Sequence, residues 1–124
     1  MVDRILITGA TGFAGHFLVD HLLAQGEDVT GTIHGEIPPD FQKELIPLIP
    51  CDLRNSLETQ KVISQTKPTQ IFHLAAQATV TSSWEDPGET FRINTLGTIN
   101  ILDSCRTLRL NPKILLISSA TVYG

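Results

Sequence analysis

The chain has 124 residues, of which 41% are hydrophobic and 18% charged, with a formal net charge of −4. That balance is that of a globular domain rather than a disordered segment, and the length suffices for one domain. The absence of any Lys/Arg run argues against nucleic acid or an anionic membrane surface as partner, and no apolar run reaches the ~20 residues that span a bilayer.

Taken in order, Arg4–Thr8 is a β-branched run ending at Gly9 and predicts a buried strand. The start "MVDRILITGATG" lacks a basic stretch followed by an apolar run and a cleavage site, so no signal peptide is read. Residues 12–25 predict a helix, with Ala14, Leu18 and Leu22 repeating at i+4 and Gly26 placed as C-cap. Asp28–Ile33 predicts a second strand, and Pro38-Pro39 a loop after it. Leu45–Cys51 contains Pro47 and Pro50, so a strand there is short or at the sheet's edge. Asn55 or Ser56 caps a helix to about Thr66, which Lys67-Pro68 ends.

"QIFHLAA", residues 70–76, predicts a further strand. Residues 88–108 predict a long helix whose Leu96, Ile99, Leu102 and Cys105, three apart, are expected to form one buried face. Asn111-Pro112 breaks it, and "KILLISS", residues 113–119, predicts a buried strand with Ser118 and Ser119 at its tip. Cys51 and Cys105 have neither CxxC nor Cys/His spacing and read as free thiols of a reducing cytoplasm. No metal site is predicted.

Apolar strands alternating with helices predict an α/β, Rossmann-like, doubly wound parallel sheet with helices on both faces. The first strand runs into "TGATGFAG", with Gly9, Gly12 and Gly15 three apart. Gly9 turns the chain out of the strand, Gly12 lets backbone approach a pyrophosphate, and Gly15 lets helix and strand pack closely. The helix N-terminus then favours phosphate. His73 stands among apolar residues and reads as a packed core residue rather than a base.

The motifs "TGATGFAG", "CDLR", "FHLAAQ", "NTLGTINIL" and "ISSATVYG", in this order along the whole chain, resemble the extended short-chain dehydrogenase/reductases. These are the nucleotide-sugar epimerases, dehydratases and reductases. The segment from His73 to Leu102 is most similar to GDP-mannose 4,6-dehydratases and GDP-4-keto-6-deoxymannose reductases, and the closing "SSATVYG" to UDP-glucose 4-epimerases. The resemblance implies NAD or NADP as cofactor, a nucleotide-sugar substrate, a cytoplasmic parent enzyme and a homodimer or homotetramer.

It places Gly9, Thr11, Gly12, Phe13 and Gly15 at the pyrophosphate and His34 near the ribose. Asp52 would accept from the adenine amino group while the Leu53 backbone holds the ring; a helix-capping or loop carboxylate is the other reading of Asp52. Leu74, Ala75 and Ala76 would lie against the cofactor, Asn94 would be a buried hydrogen-bonding residue near it or a surface Asn, and Val80 and Ser83 would meet the substrate.

In the resembled family a Ser or Thr at the last strand's tip hydrogen-bonds the reacting sugar oxygen. A Tyr-x-x-x-Lys pair moves the proton there, and the nicotinamide carries the hydride. By this resemblance Ser119 is the catalytic serine, the alternative being that both serines cap the strand. Tyr123 is the one tyrosine and no residue stands four beyond it. Residues 1–124 are therefore expected to be an N-terminal NAD(P)-binding portion, lacking the final strands and the substrate domain, and inactive alone.

Family dehydratases carry acidic residues just after the catalytic Thr, whereas Ala120 and Thr121 follow Ser119. That favours 4-ketoreduction or 4-epimerisation over dehydration. A non-catalytic NAD(P)-binding regulatory domain is the competing class. The second strand ends "GTIHGE", with neither an acid for the ribose 2′-OH at its end nor an Arg for a 2′-phosphate, which leaves NAD and NADP both open.

Overall fold

The computed structural model describes residues 3–10, 13–35, 37, 39, 45–74 and 87–116, with the side chains of 13, 14 and 87–94 excepted. Its elements are β1 (Arg4–Thr8), α1 (Phe13–Ala24), β2 (Asp28–Ile33), β3 (Leu48–Pro50), α2 (Ser56–Thr66), β4 (Gln70–His73), α3 (Pro87–Thr107) and β5 (Lys113–Leu116). The five strands form one parallel sheet in the order β3-β2-β1-β4-β5. This is the Rossmann-like α/β architecture predicted from the alternation.

Period-two alternation splits the core. Ile5 and Ile7 of β1 pack with Val29, Ala10, Val19 and Leu22 on the α1 side. Leu6 points the other way and packs with Ile71, Val62, Ile63, Ile101 and Cys105 under α2 and α3. Burying each such aliphatic side chain contributes about 1.5–3 kcal/mol.

Local chemistry sets the helix ends. Gly26, at φ 76°, closes α1 with bonds from its N–H to Leu23 O and from Glu27 N–H to Leu22 O, the paired bonds of a Schellman cap. Asn55 caps α2, its Oδ1 accepting from the Leu57 and Glu58 N–H groups at 3.0 and 3.1 Å. Lys67, forced out of the helix by Pro68, takes the left-handed conformation at φ 43°. β3 lies at one sheet edge, where Pro50 costs no interior ladder bond.

Three expectations change. First, β4 ends at His73 rather than at Ala76. Its neighbour β1 turns away at Gly9, φ 71°, so beyond the Leu74 N–H bond to Thr8 O there is no β1 ladder to extend; Ala75 and Ala76 lie outside the described residues.

Second, the buried face of α3 is not the predicted one. Leu96, Ile99 and Leu102 are exposed, and of that set only Cys105 is buried. Residues at a constant spacing of three drift around a 3.6-residue helix, whereas Gly97, Ile101, Ser104 and Cys105 recur at i, i+4, i+7 and i+8 and hold one face inward.

Third, β5 is an edge strand, as a sheet without its later strands was expected to show along residues 113–118, and this leaves Leu115 and Leu116 about half exposed rather than buried as the apolar run alone suggested. The Pro38-Pro39 loop falls largely outside the described residues, as do Ser118 and Ser119.

Candidate functional site

Because all strands are parallel, their carboxyl ends share one edge of the sheet. The strand order reverses between β1 and β4, the place where open α/β sheets bind ligands. Gly9 leaves β1 there in a conformation that other residues rarely adopt. A Cβ on Gly15 would lie 2.5 Å from the carbonyl oxygens of both Gly9 and Ala10, so only glycine lets α1 start against this turn. Behind it, a Cβ on Gly31 of β2 would stand 2.7 Å from the Ala10 methyl, which makes Gly31 a second requirement of the same packing. Thr11 and Gly12 lie outside the described residues, as does the Phe13 side chain.

The floor between β1 and β4 is a buried polar pair. Thr8 Oγ1 and His73 Nδ1 share a hydrogen bond at 2.6 Å, with both residues almost wholly buried. Among the described residues His73 Nε2 has no hydrogen-bond partner. Burial pulls the pKa of His73 down to about 4, so the ring is neutral at pH 7. The sequence reading of His73 as a core residue agrees with this burial. Leu74 packs its side chain into the α1-side core, so it serves this crevice through packing rather than as an exposed contact.

At the end of β3, Asp52 is bound by Arg54. The Arg54 Nε donates to Oδ1 at 3.0 Å and to Oδ2 at 3.2 Å, Nη2 donates to Oδ2 at 2.8 Å, and the Arg54 N–H donates to Oδ1 at 3.0 Å. This guanidinium holds the Asp52 carboxyl at about 2, with His34 at the end of β2 contributing least to the shift. Asp52 does not cap α2; Asn55 does.

The next residue is anchored from α3: Asn100 Nδ2 donates to Leu53 O at 2.7 Å, and the place of a Cβ on Gly97 is 3.5 Å from the Leu53 Cβ. The carbonyl of Leu53 is thus taken, and among the described residues nothing accepts from its N–H. An acidic acceptor is followed directly by an amide donor.

Of the residues singled out from sequence, Gly9, Gly15, His34, Asp52, Leu53 and Leu74 follow the carboxyl ends of β1 to β4 on this one edge. Asn94 lies on α3 with its side chain outside the described set, and Ala75, Ala76, Val80, Ser83 and Ser119 lie outside it altogether. Sequence reasoning missed Thr8, Arg54, Gly97 and Asn100. The last two stand in "NTLGTINIL" at i, i+3 and carried a legible signal, whereas the Arg54 contact depends on the turn after β3. Cys51 and Cys105 are both buried, free and pushed up by desolvation, which leaves them poor nucleophiles. Among the described residues no helix is long and apolar enough to cross a membrane, and no group of His, Cys, Asp or Glu is arranged to hold a metal ion.

The glycine turn, the switch-point crevice and the acid at the end of β3 define a nucleotide-binding α/β domain. A sequence profile of the NAD dependent epimerase/dehydratase family matches residues 5–124, and the chain belongs to that family. It is 33% identical over 132 residues to a UDP-glucose 4-epimerase of Mycolicibacterium smegmatis, covering 98% of this chain and 40% of that protein. It is 30% identical over 138 residues to a GDP-mannose 4,6-dehydratase of Vibrio cholerae, covering 100% and 37%. The fold is similar to a crystal structure of UDP-glucose 4-epimerase from Bifidobacterium longum in complex with NAD+ and UDP. The TM-score is 0.81 at 26% identity, over 97% of this chain and 38% of that one. The chain thus spans about two-fifths of the length of these relatives.

Proposed function

We propose that the chain is the NAD-binding portion of an enzyme that epimerises or reduces a nucleotide sugar at C4. The observation that carries this reading is the close-packed glycine turn at the β1/β4 switch point, where Gly15 admits no Cβ, on the same edge as Asp52. NAD fits these groups: the turn and the first turn of α1 offer amides to a pyrophosphate, and Asp52 with the Leu53 N–H offers an acceptor and a donor to adenine. When bound, NAD supplies the hydride chemistry.

Gly9, Thr11, Gly12, Phe13 and Gly15 hold the pyrophosphate, His34 lies by the ribose, and Ala75, Ala76 and Asn94 line the remaining cofactor surface. Val80 and Ser83 contact the sugar nucleotide. The Ser119 hydroxyl donates to the reacting sugar oxygen and orients it. His73, buried and neutral, takes no proton from substrate. Moving a proton at the sugar oxygen falls to a Tyr-x-x-x-Lys pair, which these 124 residues do not contain, so by themselves they bind cofactor without turning over.

Dehydration is the second reading, favoured by the similarity to a GDP-mannose 4,6-dehydratase. The absence of a carboxylate at Ala120 and Thr121 weighs against it.

The test is a pair of neighbouring substitutions in an enzyme that carries the Tyr-x-x-x-Lys pair beyond residue 124. Ser119→Ala lowers kcat on the order of 10²–10³ with NAD affinity unchanged. Ser118→Ala does much less, since adjacent strand residues face opposite sides. Equal, small effects of both would reject the catalytic reading.

A further inference from the structure

We infer that Arg54 is a positioning residue for the adenine of the bound dinucleotide, acting through Asp52. The inference rests on the reading of Asp52 as the adenine acceptor. Adenine presents, side by side, an amino donor at N6 and an acceptor at N1. Asp52 followed by the Leu53 N–H is the complementary acceptor–donor pair, and the Asn100 bond to Leu53 O fixes the second member.

The first member needs fixing as well. The Asp52 carboxylate is part-exposed, and terminal torsions of this kind are broad. Arg54 removes that freedom by gripping both oxygens through its fork while its own N–H holds Oδ1. Those are three N–H donors, one of them shared between the oxygens, set against the roughly four lone-pair sites of a carboxylate. The shared Nε contact to Oδ2, at 3.2 Å the longest of the four, is the one that an amino N–H of adenine would displace, on an oxygen that Nη2 holds in a fixed plane.

The carboxylate is ionised at neutral pH with or without the fork, and an ionised acceptor makes the stronger hydrogen bond; what the fork adds is its fixed orientation. Arg54 itself need not touch the base. Hypoxanthine reverses both polarities, with an oxygen at C6 and a hydrogen on N1, so it meets the carboxylate with an acceptor and the amide with a donor.

The measurement is the ratio of dissociation constants for nicotinamide hypoxanthine dinucleotide and NAD, by calorimetry on the full chain, with thermal midpoints recorded in parallel. Wild type is expected to favour NAD by roughly tenfold to a hundredfold, the range of one charged hydrogen bond, and Asp52→Asn to lose that preference. Arg54→Met is expected to lower the ratio by about tenfold through weaker NAD binding, with the midpoint unchanged because the side chain is partly solvent-exposed. Arg54→Lys, which keeps charge but not the fork, should restore only part of it.

If wild type binds both dinucleotides equally, the adenine reading of Asp52 fails and the inference with it. If Asp52→Asn loses the preference while Arg54→Met keeps it, the adenine reading stands and the role of Arg54 is overturned. Tighter NAD binding by Arg54→Met would show that the guanidinium competes with adenine, and full restoration by Arg54→Lys would show that charge suffices without the fork; either overturns the inference.

Discussion

Gly15 and His73 illustrate how single residues hold this crevice. At Gly15 the constraint is steric: a methyl would sit 2.5 Å from two carbonyl oxygens, and backbone cannot yield as a flexible side chain does. Gly15→Ala is expected to destabilise by about 1–3 kcal/mol, seen as a lower denaturant midpoint; an unchanged midpoint would show that α1 can move outward freely. At His73 the constraint is desolvation, and its sign follows from the lowered pKa. The folded chain holds the ring neutral down to about pH 4, whereas the unfolded chain takes up a proton near 6.5. Stability is therefore full above about 6.5 and declines as pH falls toward 4, by about 3 kcal/mol in total. Urea midpoints at pH 7 and pH 5 check this, and His73→Gln should flatten the difference. The Asp52 carboxyl titrates lower, between 3.8 and about 2, so the two windows separate. His73 was legible as a core residue because apolar neighbours flank it in sequence. The lack of a partner for its Nε2 among the described residues was not, since it depends on the approach of Gly97 on α3, whose Cβ would stand 3.9 Å away.

Among the elements, those governed by local chemistry were the most legible. Gly26 ends α1 and Asn55 starts α2 because each cap closes bonds within a few residues of itself. Asn55→Ala is accordingly expected to cost about 1 kcal/mol, read from the thermal midpoint. The face of α3 was misread because, among its described residues 95–107, the apolar residues outnumber the buried positions, and only the docking against α2 and β4 selects among them. The two outcomes separate cleanly by substitution. Ile101, 1% exposed, should cost about 2–5 kcal/mol as Ile101→Ala, whereas Ile99→Ser, at an exposed site, should stay within about 0.5 kcal/mol. Equal losses would mean that both faces of α3 are packed in solution. The Arg54 fork on Asp52 escaped the sequence for a related reason: an i, i+2 pair meets only where the turn after β3 folds it back.

For the molecule as a whole, strand–helix alternation implied a parallel sheet, and the order β3-β2-β1-β4-β5 then places the ends of β1, β2, β3 and β4 on one edge without further information. That is why glycines at 9 and 15, His34, Asp52 and Leu53, far apart in sequence, could be read together as one site. The central claim is that this edge binds NAD through the glycine turn. Calorimetric titration of the full chain with NAD, wild type against Gly12→Val, tests it most directly. Saturable binding by wild type is expected, with loss of affinity in Gly12→Val at an unchanged thermal midpoint, since a branched side chain would occupy the place of the pyrophosphate. Equal NAD affinity in the two proteins would contradict the account.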